Sequence, residues 1–272
     1  MIYELKKDEL YKCIDLIDEK TPEPLAVALG NSPGRIFVDH REKPTTGLVW
    51  HKSLDIGFHF IGDSFNTNFN KWIDSYIENT IQPEAKKLGM DWFEASGVHQ
   101  DWDLTIKNIF EHRNLEVQEQ HVYLLNNKSD IKSQVDVLPS DYELIKISKP
   151  LLISKKVNLS FLSEKILSFW DSVDSFLKKG VGYGIIHHNK IVSVCLSGFV
   201  TNQYSATDVE TIEGYTGKKL AQIVAEAYAR ECFTRDLIPY WDCMKENLPS
   251  HAVAKKVGFT KYRTYYVHYF QF

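Results

Sequence analysis

The sequence predicts an α/β fold of the α+β, mixed-sheet kind, built as a tandem of two similar units. Three observations carry that expectation. Stretches of strand period and helix period alternate along all 272 residues. The length is near twice the roughly 150 residues of an average domain. The order of elements in the second half repeats the order in the first. Composition agrees, since 43% hydrophobic and 25% charged residues can build a core and a solvated surface. A formal charge of −4 without any long Lys/Arg run argues against nucleic acid as a partner. No apolar run approaches the roughly 20 residues of a membrane helix, and the start Met1-Ile2-Tyr3-Glu4 lacks a signal-peptide pattern, so the cytoplasm is the expected location. Cys13, Cys195, Cys232 and Cys243 form neither a C-x-x-C pair nor a Cys/His cluster, so free thiols and no metal site are expected.

The polar run Asn126-Asn127-Lys128-Ser129-Asp130, followed by Pro139-Ser140-Asp141, places a boundary near residue 138 and gives halves 1–138 and 139–272. In the first half, residues 36–38, 47–50 and 55–61 read as strands. Phe69, Trp72, Ile73, Tyr76 and Ile77 recur on one helical face. Trp92-Phe93-Glu94 opens a further strand, and Asn114-Leu115 ends a helix ahead of the strand-like residues 122–125. In the second half, residues 142–147 read as a strand, and Leu162, Ile166, Phe169, Trp170 and Val173 as one helix closed by Gly180. Apolar runs 183–186 and 191–200 are joined by His187-His188-Asn189-Lys190, which suits a hairpin. Residues 207–212 alternate as a third strand, and Leu220, Ile223, Val224 and Ala227 mark a helix that starts from Gly217. A strand at 238–243, a helix at 249–257 and a strand at 262–270 complete the half. Tyr240-Trp241-Asp242 is the counterpart of Trp92-Phe93-Glu94, and Gly258-Phe259 of Asn114-Leu115; a left-handed residue after each helix explains the Gly/Asn exchange.

The turn Glu213-Gly214-Tyr215-Thr216-Gly217-Lys218-Lys219-Leu220-Ala221 is a glycine-bearing helix start. Amides in such a first turn have no intrahelical acceptor and the helix dipole favours an anion, so phosphate or pyrophosphate is the expected guest. A plain strand-to-helix turn is the alternative. Asp208 and Glu210 share one face of their strand because side chains alternate with period two. The pair can take a proton from an ammonium, hold its charge, or be a solvated face. Asp242 is a third carboxylate, with a structural hydrogen-bond role equally open. Cys243 reads as a buried small hydrophobe, with no His or Asp at an informative spacing. His187-His188 reads as a solvated turn, and Gly182-Tyr183-Gly184 as no dinucleotide fingerprint. Asn247, ahead of Pro249, is a helix cap. Trp50, Trp72, Trp92 and Trp102 read as core.

Thr216-Gly217-Lys218-Lys219-Leu220-Ala221 stands where the GNAT acyltransferases carry Gln or Arg, two residues, Gly, one residue, then Gly or Ala. Asn247, Ser250, Gly258 and Phe259 follow at spacings common in that family. Residues 142–272 resemble a GNAT domain, most closely the zwittermicin-resistance type, through Ile166-Leu167-Ser168-Phe169-Trp170, Gly180-Val181-Gly182-Tyr183-Gly184 and Tyr240-Trp241-Asp242-Cys243. The resemblance implies an acetyl-CoA-dependent N-acetyltransferase in which a small-molecule amine attacks the thioester directly; the subtype implies an aminopolyol antibiotic as that amine. It implies cofactor contacts from Thr211, Ile212, Thr216, Gly217, Lys218, Lys219, Leu220, Ala221 and Asn247, and catalytic roles for Asp208, Glu210 and Asp242. Thr216 replaces the usual Gln or Arg, Lys219 the usual Gly, and Ala254 a frequent Tyr general acid. Those departures motivate a second reading, a catalytically silent CoA-binding or ligand-sensing protein. The first half is then a degenerate GNAT-like copy, because Ser64-Phe65-Asn66-Thr67-Asn68-Phe69 replaces the phosphate loop. Its expected use is a wall of the acceptor cleft or a dimer surface, and homodimerisation is left open.

Overall fold

The computed structural model describes residues 1–51, 57–132, 138–153 and 160–272. In chain order the elements are β1 (Tyr3–Glu4), α1 (Pro22–Ala28), β2 (Gly34–Val38), β3 (Thr46–His51), β4 (Phe58–Gly62), α2 (Thr67–Tyr76), α3 (Gln82–Lys87), β5 (Trp92–Gly97), α4 (Asp101–Ile109) and β6 (Glu116–Leu124). The chain continues through β7 (Tyr142–Lys146), α5 (Lys149–Leu152), α6 (Ser160–Phe169), α7 (Val173–Lys179), β8 (Gly182–His187), β9 (Lys190–Val200), β10 (Tyr204–Thr211), α8 (Leu220–Thr234), β11 (Ile238–Met244), α9 (Leu248–Val257) and β12 (Thr260–Gln271). These elements gather into two compact units, residues 1–120 with 264–272, and residues 121–263. The cut expected near residue 138 therefore falls inside the second unit. The turns at 126–130 and 139–141 were visible locally, but which sheet a strand joins is a long-range choice that turn chemistry does not encode. Among the described residues no helix is long and apolar enough to cross a membrane.

In the first unit the strands run β1-β2-β3-β4-β5, followed by the end of β12. Neighbours are antiparallel except β4 and β5, which are parallel with Phe58 opposite Ala95. A parallel pair needs a crossover, and α2, a π-helical turn at Ile77–Ile81 and α3 supply it. The core is aromatic, with Phe93 stacked on Phe58 at 4.6 Å and on Phe270 at 4.9 Å. Trp50 and Trp102 are buried as expected, whereas Trp72 and Trp92 are half-exposed. The core face of α2 is Phe69 and Ile73, continued by Ile77; Trp72 lies beside that stripe, with the Lys71 ammonium 5.6 Å from its ring. Of the strand expected at 55–61, residues 55 and 56 lie outside the described residues.

In the second unit the order is β6-β11-β10-β9-β8-β7, with β10 and β11 parallel across the α8 crossover. The β8–β9 turn has His188 and Asn189 at φ 48° and 60°, the left-handed pair that matches strand twist in a two-residue hairpin. The single helix expected over 162–173 is two. Residues 170–172 interrupt it, and the Ser172 hydroxyl accepts the Ser175 N–H at 3.1 Å to start α7. Trp170 is nevertheless buried, its indole N–H donating to the Ser197 carbonyl at 2.8 Å. All four cysteines are free and buried.

The left-handed explanation for Asn114 fails, because Asn114 is absent from the positive-φ residues. Gly258 has φ +120°, and a Cβ there would sit 2.1 Å from the Asp130 carbonyl oxygen. Gly258→Ala is expected to cost about 2–4 kcal/mol, read as a lowered thermal midpoint. His268 on β12 is buried, with neither ring nitrogen hydrogen-bonded among the described residues; burial, aided by Lys107, pushes its pKa down to about 4. The unfolded ring titrates near 6.5. Its contribution to stability is thus complete above roughly pH 6.5 and is lost as pH falls towards 4. Melting followed over that interval is expected to fall more steeply for the wild type than for His268→Phe.

Candidate active site

The site begins where two parallel strands stop pairing. β10 and β11 are in register over Tyr204–Ala206 and Ile238–Tyr240, yet β10 continues to Thr211 and β11 to Met244. At the last pair the Thr207 hydroxyl donates to the Tyr240 carbonyl. On the other side of β10 the register with β9 shifts, Ala206 pairing with Phe199 and Thr207 with Ser197, which leaves Gly198 as a bulge residue. A bulge bends its strand and re-aims the residues beyond it. A cleft of about 400 Å³ lies at this opening, between the start of α8 and the first turns of α9.

The α8 start has no side-chain cap. The Ile223 N–H closes the first turn on the Lys219 carbonyl at 3.2 Å, so the amides of Leu220, Ala221 and Gln222 precede any intrahelical acceptor. Lys219 itself adopts φ 62°, ψ 10°, a left-handed conformation that costs a residue with a Cβ about 1–2 kcal/mol. Gly217, at φ +76°, has open space around it. The corresponding start of α2 in the first unit has a side-chain cap. Asn66 Oδ1 accepts the Phe69 N–H at 3.0 Å, Asp63 accepts the Phe65 N–H at 2.9 Å, and Asp39 holds the Asn66 amide at 2.8 Å.

Of the residues expected to bind a cofactor, Thr211, Thr216, Gly217, Lys219, Leu220, Ala221 and Asn247 line the cleft. Ile212 and Lys218 do not; the Lys218 ammonium lies 4.9 Å from the Tyr215 ring and 3.5 Å from the Tyr142 hydroxyl. Asn247 also caps α9, accepting the Ser250 N–H at 3.1 Å. Sequence reasoning missed Tyr215, Gln222, Trp241, Ser250, Val253 and Lys256. The spacing of Pro249, Ser250, Val253 and Lys256 is a helical face that would have found the last three. Trp241 and Ser250 are joined by an indole N–H to hydroxyl bond of 2.9 Å. The lining has two lysines, Lys219 and Lys256, and among the described residues no carboxylate. Its chemistry suits an elongated anion with an apolar arm.

The loop is anchored by a relay. In the neutral ring, His187 Nε2 donates to Asp141 at 2.9 Å and Nδ1 accepts the Tyr215 hydroxyl at 2.9 Å, while Tyr142 stacks on the imidazole at 4.2 Å. The reading of His187-His188 as a merely solvated turn is corrected for His187. Cys243 also has a partner that spacing did not disclose: His251 Nδ1 lies 3.3 Å from Sγ. His251 Nε2 donates to the Lys245 carbonyl at 3.0 Å, and Nδ1 accepts from Tyr123 at 2.9 Å. Burial pushes the Cys243 thiol up, which keeps it protonated.

Asp208 and Glu210 alternate with the cleft residues Val209 and Thr211, and Asp242 with Trp241. Ala206 and Tyr240 are paired in register, so Asp208, Glu210 and Asp242 share the opposite face of the sheet. There the Lys165 ammonium of α6 joins Asp208 at 2.8 Å and Glu210 at 2.7 Å. Lys165 thus brings Asp208 and Glu210 together, and none of the three expected carboxylates is in the cleft lining. Ala254 is fully buried.

The family model described as GNAT acetyltransferase matches residues 15–268. The chain is 30% identical over 239 residues to the uncharacterized N-acetyltransferase YdfB of Bacillus subtilis (strain 168), covering 86% of this chain and 85% of that protein. Its fold is similar to that of a GCN5-related N-acetyltransferase-like protein from Streptococcus suis 89/1591, with TM-score 0.67 and 19% identity over 98% of this chain and all of the other. A tandem GNAT protein from the clavulanic acid biosynthesis pathway superposes with TM-score 0.61 at 10% identity, over 100% of this chain and 98% of its own. With the family model matched over residues 15–268 and a 30% identical N-acetyltransferase relative over 86% of its length, this chain belongs to the GNAT acetyltransferase family.

Proposed function

We propose that the protein transfers an acetyl group from acetyl-CoA to a small-molecule amine, with the cytoplasm as its place of action. The observation that carries the reading is the α8 start, without a side-chain cap, opening into a cleft that holds Lys219 and Lys256 and, among the described residues, no acidic side chain. Acetyl-CoA supplies the activated acyl group. The amides of Leu220–Gln222 and the Lys219 ammonium would hold its diphosphate, and Val209, Trp241 and Val253 would pack its apolar arm. Asp208, Glu210 and Asp242, across the sheet from those residues, hold the ammonium of the acceptor and take up its proton. In the first unit the matching helix start carries a side-chain cap, Asn66 on the Phe69 amide, which supports a non-binding role for that copy. An aminopolyol antibiotic is the acceptor class to test first.

The second reading, a silent CoA-binding protein, is favoured by Ala254, which offers no hydroxyl to protonate the leaving thiolate. Calorimetric titration with acetyl-CoA and thiol release over a panel of amines separate the two. Binding with turnover supports transfer, binding without turnover supports the silent protein, and no binding removes both.

Because Lys219 lines the cleft and Lys218 does not, Lys219→Glu is expected to weaken CoA at least about tenfold by calorimetry, and Lys218→Glu by less than about threefold. Lys219→Gly should retain most of the affinity, since glycine accepts φ 62° without strain and leaves the amides in place. Asp208→Asn and Glu210→Gln are expected to depress turnover by about 10²-fold or more while CoA affinity stays within about twofold.

A further inference from the structure

Lys165 projects from α6 onto β10. Its side chain is 14% exposed, against 24% for Asp208 and 44% for Glu210, and one ammonium contacts both carboxylates. Burial by itself disfavours the ammonium; the charges and hydrogen bonds of Asp208 and Glu210 outweigh it, and the pKa of Lys165 is raised above the ordinary lysine value. The β9 residues opposite this pair, Leu196 and Val194, are apolar. Lys165 from α6 contacts both carboxylates, Asp242 of β11 lies on the same sheet face, and the Asp208 charge also acts on the buried Cys195 thiol of β9.

Two carboxylates two residues apart on one strand face repel, and without a counter-ion one of them takes up a proton at higher pH. A single ammonium shared between them removes that conflict. It also leaves the trio one negative charge in excess, two carboxylates against one lysine, which can still attract a cation. We propose that Lys165 is a positioning residue that holds Asp208 and Glu210 together as the anionic seat for the ammonium of the acceptor. This rests on the acetyl-transfer reading above and narrows the acceptor to amines that arrive protonated. Replacing Lys165 by an uncharged side chain leaves the seat dependent on pH, because one carboxyl is then occupied by its own proton under mildly acidic conditions.

The test compares wild type, Lys165→Met and Lys165→Arg by two readouts. In the free protein, ¹³C-carboxyl NMR titration, assigned with Asp208→Asn and Glu210→Gln, is expected to move at least one of the two midpoints up by about one pH unit or more in Lys165→Met, and to leave both near wild type in Lys165→Arg. In acetyl transfer from acetyl-CoA to a primary amine, the acid limb of kcat/KM should shift upward by the same amount. That is about a tenfold loss on the limb and less than about twofold on the alkaline plateau, with Lys165→Arg restoring the profile. Superimposable midpoints and pH profiles for Lys165→Met and wild type would overturn the proposal. So would a loss equal at every pH. If circular dichroism shows Lys165→Met unfolded, Lys165→Gln takes its place under the same criteria. A wild type that turns over no amine would fail the transfer reading, and the NMR arm would still decide the role of Lys165.

Discussion

The site depends on two parallel strands being held together at one end and released at the other. The pairing of β10 with β11 stops at Ala206 and Tyr240, while both strands keep going and α8 and α9 start beside the opening. Backbone that would otherwise bond to a neighbouring strand is turned towards a cleft, and the uncapped amides of α8 add a positive dipole end to the same space. The bulge at Gly198 on one side and the Thr207 bond to Tyr240 on the other mark where regular pairing gives way. Filling that opening with a regular ladder would abolish the cleft without altering any cleft side chain.

The two units use one plan to different ends. Each places a helix after the strand that precedes its parallel partner, α2 after β4 and α8 after β10. In the first unit that helix is capped by Asn66, which is itself held by Asp39, and the Phe69 amide is engaged inside the protein. In the second unit Lys219 occupies the cap position in a left-handed conformation and offers no capping side chain. The strain accepted at Lys219 keeps the helix start open, and the lysine places a cation beside it.

Much of this was legible in the sequence because it is local. Period-two and period-3.6 patterns located most elements, and the glycines of the 213–221 turn marked the helix start that the structure leaves uncapped. Two kinds of feature were not legible. One is partner choice: β6 and β12 each cross from one unit to the other, and no turn signal encodes which sheet a strand completes. The other is convergence of residues distant in sequence. His251 near Cys243, Asp141 behind His187, and Lys165 between Asp208 and Glu210 come from separate elements, and only the fold sets their distances. Asn114 shows the reverse error, a local rule applied where φ is not positive, while its counterpart Gly258 has φ +120° and is also closely approached by the Asp130 carbonyl.

The most direct measurement is an amide ¹H–¹⁵N NMR titration of the full chain with inorganic pyrophosphate, at low ionic strength so that screening does not hide a modest affinity. The result expected is a saturable shift of the Leu220, Ala221 and Gln222 amides, with the Asn66–Phe69 amides of the capped α2 start unmoved. Unperturbed amides at 220–222, or equal shifts at both helix starts, would contradict the view that the open α8 terminus is what makes this cleft an anion site.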